Sequence, residues 1–307
     1  IKHDSSFPEK ALDYIIKHYK ISPKNLQAVC YYEDPKLKYE RVMNNNKDKW
    51  FTNPFYCLKS YFKIRKNMNE IDKRLKLISP NVFYSTHHEA HLYYSFYTSS
   101  FDEATCLSVD GVGEIDTISA GLGTYNGIKY QTLAKYPHSL GLYYTALTTY
   151  LGFKPNEEEY IVMGMAAFGK PIHADVMINE FFTNFDNINV QLKDNLHRGM
   201  RWWTTPPQNR WRDVDIAASA QYIYENYLDN ILEYAKSKIN SKNLVLVGGC
   251  ALNCVANSWI SHTTNWKKIW VPPNPGDSGL SLGAIAWHTR EQLDFKHAFL
   301  GYDIQRD

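Results

Sequence analysis

A short apolar run that ends in a glycine-bearing loop and gives way to a helical segment recurs after residue 81, and this pattern most constrains the fold. Residues 82–84 precede the helix-forming stretch THHEAHLYYSFYT, and residues 104–109 run into Asp110-Gly111-Val112-Gly113-Glu114. Residues 244–247 lead to Gly248-Gly249, and residues 268–271 lead to the 272–279 loop, which holds three prolines and two glycines. Strands alternating with helices specify an α/β fold, in which ligands sit beyond the carboxyl ends of the strands. The glycine loops therefore stand where chemistry is expected. A hairpin is expected as well, because strand-like residues 117–125 and 129–134 flank Asn126-Gly127, the strongest two-residue hairpin signal.

Residues 8–20 carry apolar positions at helical spacing, 26–32 read as a strand, and 36–78 as a helical excursion interrupted at Asn44-Asn45-Asn46. Tyr61, Phe62, Lys63 and Arg65 in that excursion fit a solvated amphipathic helix better than a base-stacking surface. Further helices are expected at 140–151, 160–167 and 213–239. At 307 residues and 44% hydrophobic, the chain can bury a core as one large or two moderate domains. A net charge of +2 gives no bias toward nucleic acid or an anionic membrane, and no apolar run is long enough to span a bilayer. The opening IKHDSSFPEK lacks the basic-then-apolar order of a signal peptide, and the five scattered cysteines suit reduced thiols, so a cytoplasmic location is expected. Cys250 and Cys254 are too far apart for a CxxC pair.

His87 and His91 are one helical turn apart and can offer two imidazoles to one ion, while His88 points elsewhere. The zinc-protease spacing H-E-x-x-H fails, because position 92 is Leu92. Asp110 emerges at a strand end beside two glycines, and Asp277 sits in the fixed Pro275-Gly276-Asp277-Ser278-Gly279 loop. Taken singly, these are also consistent with surface histidines, an Asx turn and a helix cap. Together, two histidines and two carboxylates suit a divalent metal such as iron, zinc or manganese. Gly248 and Gly249, followed by a helix start at Leu252-Asn253, are placed to hold a ribose or phosphate, although tight turns use the same residues.

HHEAH, SVDGVGE, HSLGLYYTALTTYLGFKPNEEEYIVMGMAAFG, VGGCALNCVAN and PPNPGDSGLSLGAI, in this order, resemble the NodU/TobZ-type O-carbamoyltransferases across nearly the whole chain. The resemblance implies an actin/hexokinase-like α/β fold of duplicated ribonuclease-H-like lobes, related to HypF and the tRNA threonylcarbamoyl transferases. The lobes are expected at 1–102, with the 36–78 excursion, and at 103–307, with a C-terminal helix returning toward the first. It implies His87, His91, Asp110 and Asp277 as metal ligands, with iron favoured over zinc or manganese, and nucleotide contacts from Gly111, Gly113, Gly248, Gly249 and Asn253. The activity implied is transfer of a carbamoyl group from carbamoyladenylate, made from carbamoyl phosphate and ATP, to a hydroxyl of a small-molecule acceptor. His88 and His138 are the candidate general bases. Glu159 and Tyr160 are candidates for lining the acceptor or ribose pocket, and segments 36–78 and 171–212 for choosing the acceptor. Relatives begin with a phosphate-binding hairpin and continue into a YrdC-like domain; both are expected to be missing from this sequence. Ile161 stands where relatives often carry lysine, and Ala167 where they often carry proline. A tRNA-modifying transferase and a non-catalytic nucleotide-binding module are the alternatives, the first opposed by the weak net charge.

Overall fold

A computed structural model describes residues 6–45, 49–185, 188, 191–205, 211–295 and 297–298. The chain divides into two compact units, 1–86 and 87–307.

In the first unit, helix α1 (Glu9–His18) leads to strand β1 (Val29–Tyr31), followed by helices α2 (Pro35–Asn45), α3 (Lys49–Thr52) and α4 (Pro54–Ile78) and strand β2 (Val82–Tyr84). Asn53 starts α4 by accepting the Tyr56 amide on its side chain, with Pro54 at the first helical position where its missing N–H costs nothing. β1 and β2 pair in parallel, Val29 opposite Val82 and Tyr31 opposite Tyr84. The Tyr84 hydroxyl donates to Asp72 at 2.8 Å, and Arg74 pairs with Glu9 at 2.6 Å, so α4 is tied to both β2 and α1.

The second unit opens with helix α5 (His87–Tyr97), then strands β3 (Glu103–Val109), β4 (Asp116–Thr124) and β5 (Gly127–Lys135). Helices α6 (Leu140–Tyr150), α7 (Glu159–Ala166) and α8 (Ala174–Phe181) follow, then the short strands β6 (Phe182–Asn184) and β7 (Gln191–Leu192). The long helix α9 (Asp213–Lys238), strand β8 (Asn243–Val247), helix α10 (Cys254–Thr263), strand β9 (Lys268–Trp270) and helix α11 (Leu280–Thr289) complete it. The five-stranded sheet has the order β5-β4-β3-β8-β9, with β3, β4 and β5 antiparallel and β8 and β9 parallel to β3. The fold is mixed α/β around this sheet.

β3 lies at the sheet's centre and is buried on both faces, which fits the small and apolar residues of 104–109, with Thr105 and Ser108 buried among them. Leu107 and Val109 pack in the large core with Tyr143 and Leu147 of α6 and Ile223, Tyr227 and Ile231 of α9. Cys106 packs on the other side with Leu92 and Phe96 of α5 and Ala286 of α11. The helices thus form a layer on each side of the sheet.

The hairpin turn falls one residue earlier than its sequence signal, with Tyr125-Asn126 in the loop and Gly127 opening β5 opposite Thr124. Gly127 has φ of +115°, and a Cβ there would stand 3.0 Å from the Tyr93 hydroxyl oxygen, which accepts the Ile128 amide. Its glycine serves both the backbone conformation and the approach of α5. α8, β6 and β7 form in a stretch where the sequence pattern specifies no element; Met177 and Phe181 anchor α8 in the core. Among the described residues the five cysteines are free, and no helix is long and apolar enough to cross a membrane.

The division falls between Thr86 and His87 because α5 packs against α11 within the second unit. Their crossing is close: a Cβ on Gly283 would lie 1.9 Å from the Ala90 carbonyl oxygen. Gly283→Ala is therefore expected to force the helices apart and cost about 1–3 kcal/mol. Thermal unfolding should register it as a fall of about 2–4 °C per kcal/mol.

Candidate metal centre

α5 starts at His87, and its first turn brings the His87 and His91 Nε2 atoms to 3.1 Å from each other. Asp110 leaves the end of β3 and places Oδ2 3.1 Å from His87 Nε2 and 3.9 Å from His91 Nε2. Asp277 opens a single 3-10 turn before α11 and places Oδ1 3.4 Å and 3.6 Å from the same two nitrogens. One ligand atom from each of the four residues falls within a set no wider than 4.8 Å. Ligands about 2.0–2.2 Å from one first-row divalent ion are separated by roughly 2.8–3.6 Å at right-angled or tetrahedral positions. The side chains therefore fit such an ion with little adjustment. His87, His91 and Asp110 are buried, whereas 68% of the Asp277 side chain is exposed, so the site faces solvent on the Asp277 side.

The glycine turn after β8 holds the carboxylates in place. Gly249 donates its amide to Asp110 Oδ1 at 2.9 Å, and Gly248 donates its amide to the Pro275 carbonyl at 2.8 Å, in the loop that carries Asp277. Gly248 has φ of +97°, and a Cβ there would lie 2.2 Å from the Val109 carbonyl oxygen, so only glycine lets this turn press against the end of β3. Ser139 fixes the Asp110 loop from the other side. Its hydroxyl donates to the Gly111 carbonyl at 2.6 Å and accepts the Leu142 amide at 3.0 Å, capping α6.

The remaining candidates are placed as follows. His88 is buried beside the ligands, its ring centre 6.2 Å from that of His87, with Nδ1 2.9 Å from the Ser119 hydroxyl on β4. Burial lowers its pKa to about 3, which keeps it neutral. His138 is half-buried and accepts the Leu192 amide on Nδ1 at 3.1 Å, linking the start of α6 to β7. Gly113 lies against the histidine helix, and its amide donates to the Asp116 carbonyl. Gly111 has open space where a side chain would stand. Asn253 accepts the Ala256 amide, capping α10, and exchanges hydrogen bonds with Gln221 on α9. Glu159 accepts the Thr145 hydroxyl and the Asn156 amide, while Tyr160 is exposed.

Glu114 is a site residue with no role legible in the sequence. It is buried, and both its carboxylate oxygens lie 2.9 Å from the His87 backbone nitrogen. Only its place after Gly113 in the loop that carries Asp110 hinted at it.

The four side chains share one electrostatic unit. Burial alone would lower the His87 pKa, but hydrogen bonds and charge from Asp110 and Asp277 outweigh it and raise the value to about 10. Burial opposes ionisation of Asp110, and partial desolvation that of the more exposed Asp277, yet their contacts with His87 hold both below the usual carboxylate range. His91, wholly buried, is shifted down. A divalent cation would take the place of the His87 proton, so metal affinity should rise with pH. In protein stripped by a chelator, the His87 contribution to stability is complete below its unfolded value of about 6.5 and is lost as pH rises toward about 10. That of the two carboxylates is present above their unfolded value and lost as pH falls through their depressed ones. His87→Gln should therefore flatten the decline in melting temperature of chelated protein between about pH 7 and 10.

A family model described as the carbamoyltransferase N-terminus matches residues 1–286. The chain belongs to the NodU-type carbamoyltransferase family. It is 32% identical to an uncharacterized protein of Synechocystis sp., over 94% of this chain and 51% of that one. Nodulation protein NolNO of Sinorhizobium fredii is 25% identical over 95% of this chain and 43% of its own length. Nodulation protein NolO of Bradyrhizobium diazoefficiens is 29% identical over 64% and 37%. The chain thus spans about half the length of these relatives or less. Among solved structures, full-length HypF in its phosphate- and nucleotide-bound form superposes with a TM-score of 0.41 at 12% identity, over 70% of this chain and 44% of that one. That likeness is too low to establish a common fold.

Proposed function

We propose that the chain is the metal-bearing core of an O-carbamoyltransferase, moving a carbamoyl group from carbamoyladenylate to a hydroxyl of a small-molecule acceptor. The observation that carries this is the convergence of His87, His91, Asp110 and Asp277 at the carboxyl end of the central strand, in a chain of this family. These four residues would hold a divalent metal, with iron the first candidate and zinc or manganese the others. The ion would act as a Lewis acid, polarising the carbamoyl carbonyl and offsetting charge on the phosphate of the leaving nucleotide.

The chain's own residues prepare that chemistry. Asp110 brings a negative charge to a buried place, where it has an effect that water would screen, and Asp277 adds a second on the solvent side. Gly249 and Ser139 hold the Asp110 loop so that its carboxylate need not reorganise when a ligand arrives. The open side of Gly111 leaves room for the donor's phosphate or carbamoyl group beside Asp110. Gly113, Gly248, Gly249 and Asn253 would contact the nucleotide part of the donor, their main chain and caps being held by the protein's own hydrogen bonds. His88 and His138 have supporting parts: His88 braces α5 on β4, and His138 anchors the α6 approach on β7.

The meander β3-β4-β5 continued by parallel β8 and β9 supports a ribonuclease-H-like lobe of an actin/hexokinase-like fold for the second unit. A YrdC-like domain would be the partner that makes carbamoyladenylate from carbamoyl phosphate and ATP. The 307-residue chain, given metal, carbamoyladenylate and a panel of hydroxyl acceptors, is expected to yield carbamate ester. His91→Ala and Asp277→Asn should each reduce the rate by about 10³-fold or more, with circular dichroism unchanged. Wild-type transfer by both variants would exclude the proposal.

A further inference from the structure

We infer that Glu114 is a positioning residue that sets the histidine helix against Asp110, an inference that rests on the metal-binding function proposed above. Its carboxylate is only 3% exposed, and both oxygens accept the amide of His87, the first residue of α5. The first amides of a helix have no partner within it and carry partial positive charge, so a carboxylate is favoured there. In the same loop, Asp110 meets the His87 ring at 3.1 Å. Residues 110–114 therefore grip His87 twice, at its main chain through Glu114 and at its imidazole through Asp110. Gly113, between them, makes the grip tight: a Cβ there would stand 2.9 Å from His88 Cδ2 and 3.2 Å from His87 Cβ.

Glu114 is not one of the four ligand residues, so it acts through the helix. An α-helix moves as a rod, and His91 lies one turn beyond His87, so a shift at the His87 amide moves both imidazoles together relative to Asp110. Glu114 thus governs the spacing of the ligand set.

The test compares metal binding by the 307-residue wild-type chain with that of Glu114→Ala, Glu114→Asp and Glu114→Gln, using chelator competition for zinc and the visible spectrum of the cobalt-substituted protein. Glu114→Ala is expected to weaken affinity about 10–100-fold, the range for residues that orient metal ligands, and to alter the cobalt spectrum. Glu114→Gln keeps an acceptor oxygen for the His87 amide and should restore affinity to within about threefold. Leu232→Ala, in the core of α9, is the stability control; it should lower the melting temperature without changing affinity or spectrum. If Glu114→Ala does not fold, Glu114→Asp decides, because it keeps the charge while drawing the carboxylate back by one methylene, and it should weaken affinity. Wild-type affinity and spectrum in both the alanine and aspartate variants would overturn the role of Glu114 and leave the metal centre standing. No metal bound by the wild type would overturn the metal centre and this inference together.

Discussion

The carboxylate of Asp110 is the interaction on which the site depends. One oxygen meets the His87 ring and the other takes the Gly249 amide, so three elements that are remote in sequence meet at one residue: the end of β3, the start of α5 and the turn after β8. Asp110 can serve as this junction because β3 is the central strand, buried on both sides and fixed in depth by the cores on each face. A buried carboxylate has to be compensated, and here an imidazole and a backbone amide provide the compensation. The same requirement makes the arrangement receptive to a cation, which satisfies two carboxylates at once.

Much of this was legible in the sequence, because its signals are local. The i,i+4 spacing of His87 and His91 survives in α5, and the apolar run to Asp110 and the proline-rich loop to Asp277 end where strand and loop grammar place them. Signals that depend on what lies across the fold were hidden. Glu114 reaches a backbone amide 27 residues earlier, and no spacing rule announces such a partner. The partner of His138 Nδ1 is the amide of Leu192, in a two-residue strand that propensity does not reveal. Gly127 was misplaced by one position for a similar reason, since its freedom is used against Tyr93 as much as in the turn.

The glycines after β3 and β8 show how one residue type can shape a candidate site through its main chain. Glycine-rich loops at strand ends suggest amides that cradle phosphate. In this chain Gly248 and Gly249 turn theirs toward Pro275 and Asp110, which makes them part of the frame that positions two carboxylates. Their small size matters as much as their amides, because the turn lies against the Val109 carbonyl, where any Cβ would collide.

The close crossing of α5 and α11 divides the ligand set mechanically. His87 and His91 stand on one of these helices, and Asp277 lies in the turn that opens the other, packed so that a Cβ on Gly279 would overlap the Tyr94 ring. Three of the four candidate ligands are thereby carried on one helical block. Asp110 belongs to the sheet, where the Gly249 amide and the Ser139 hydroxyl hold its loop. The centre is thus a seam between a helical block and a sheet, and its spacing is set where the two pack together, at α5 against β3.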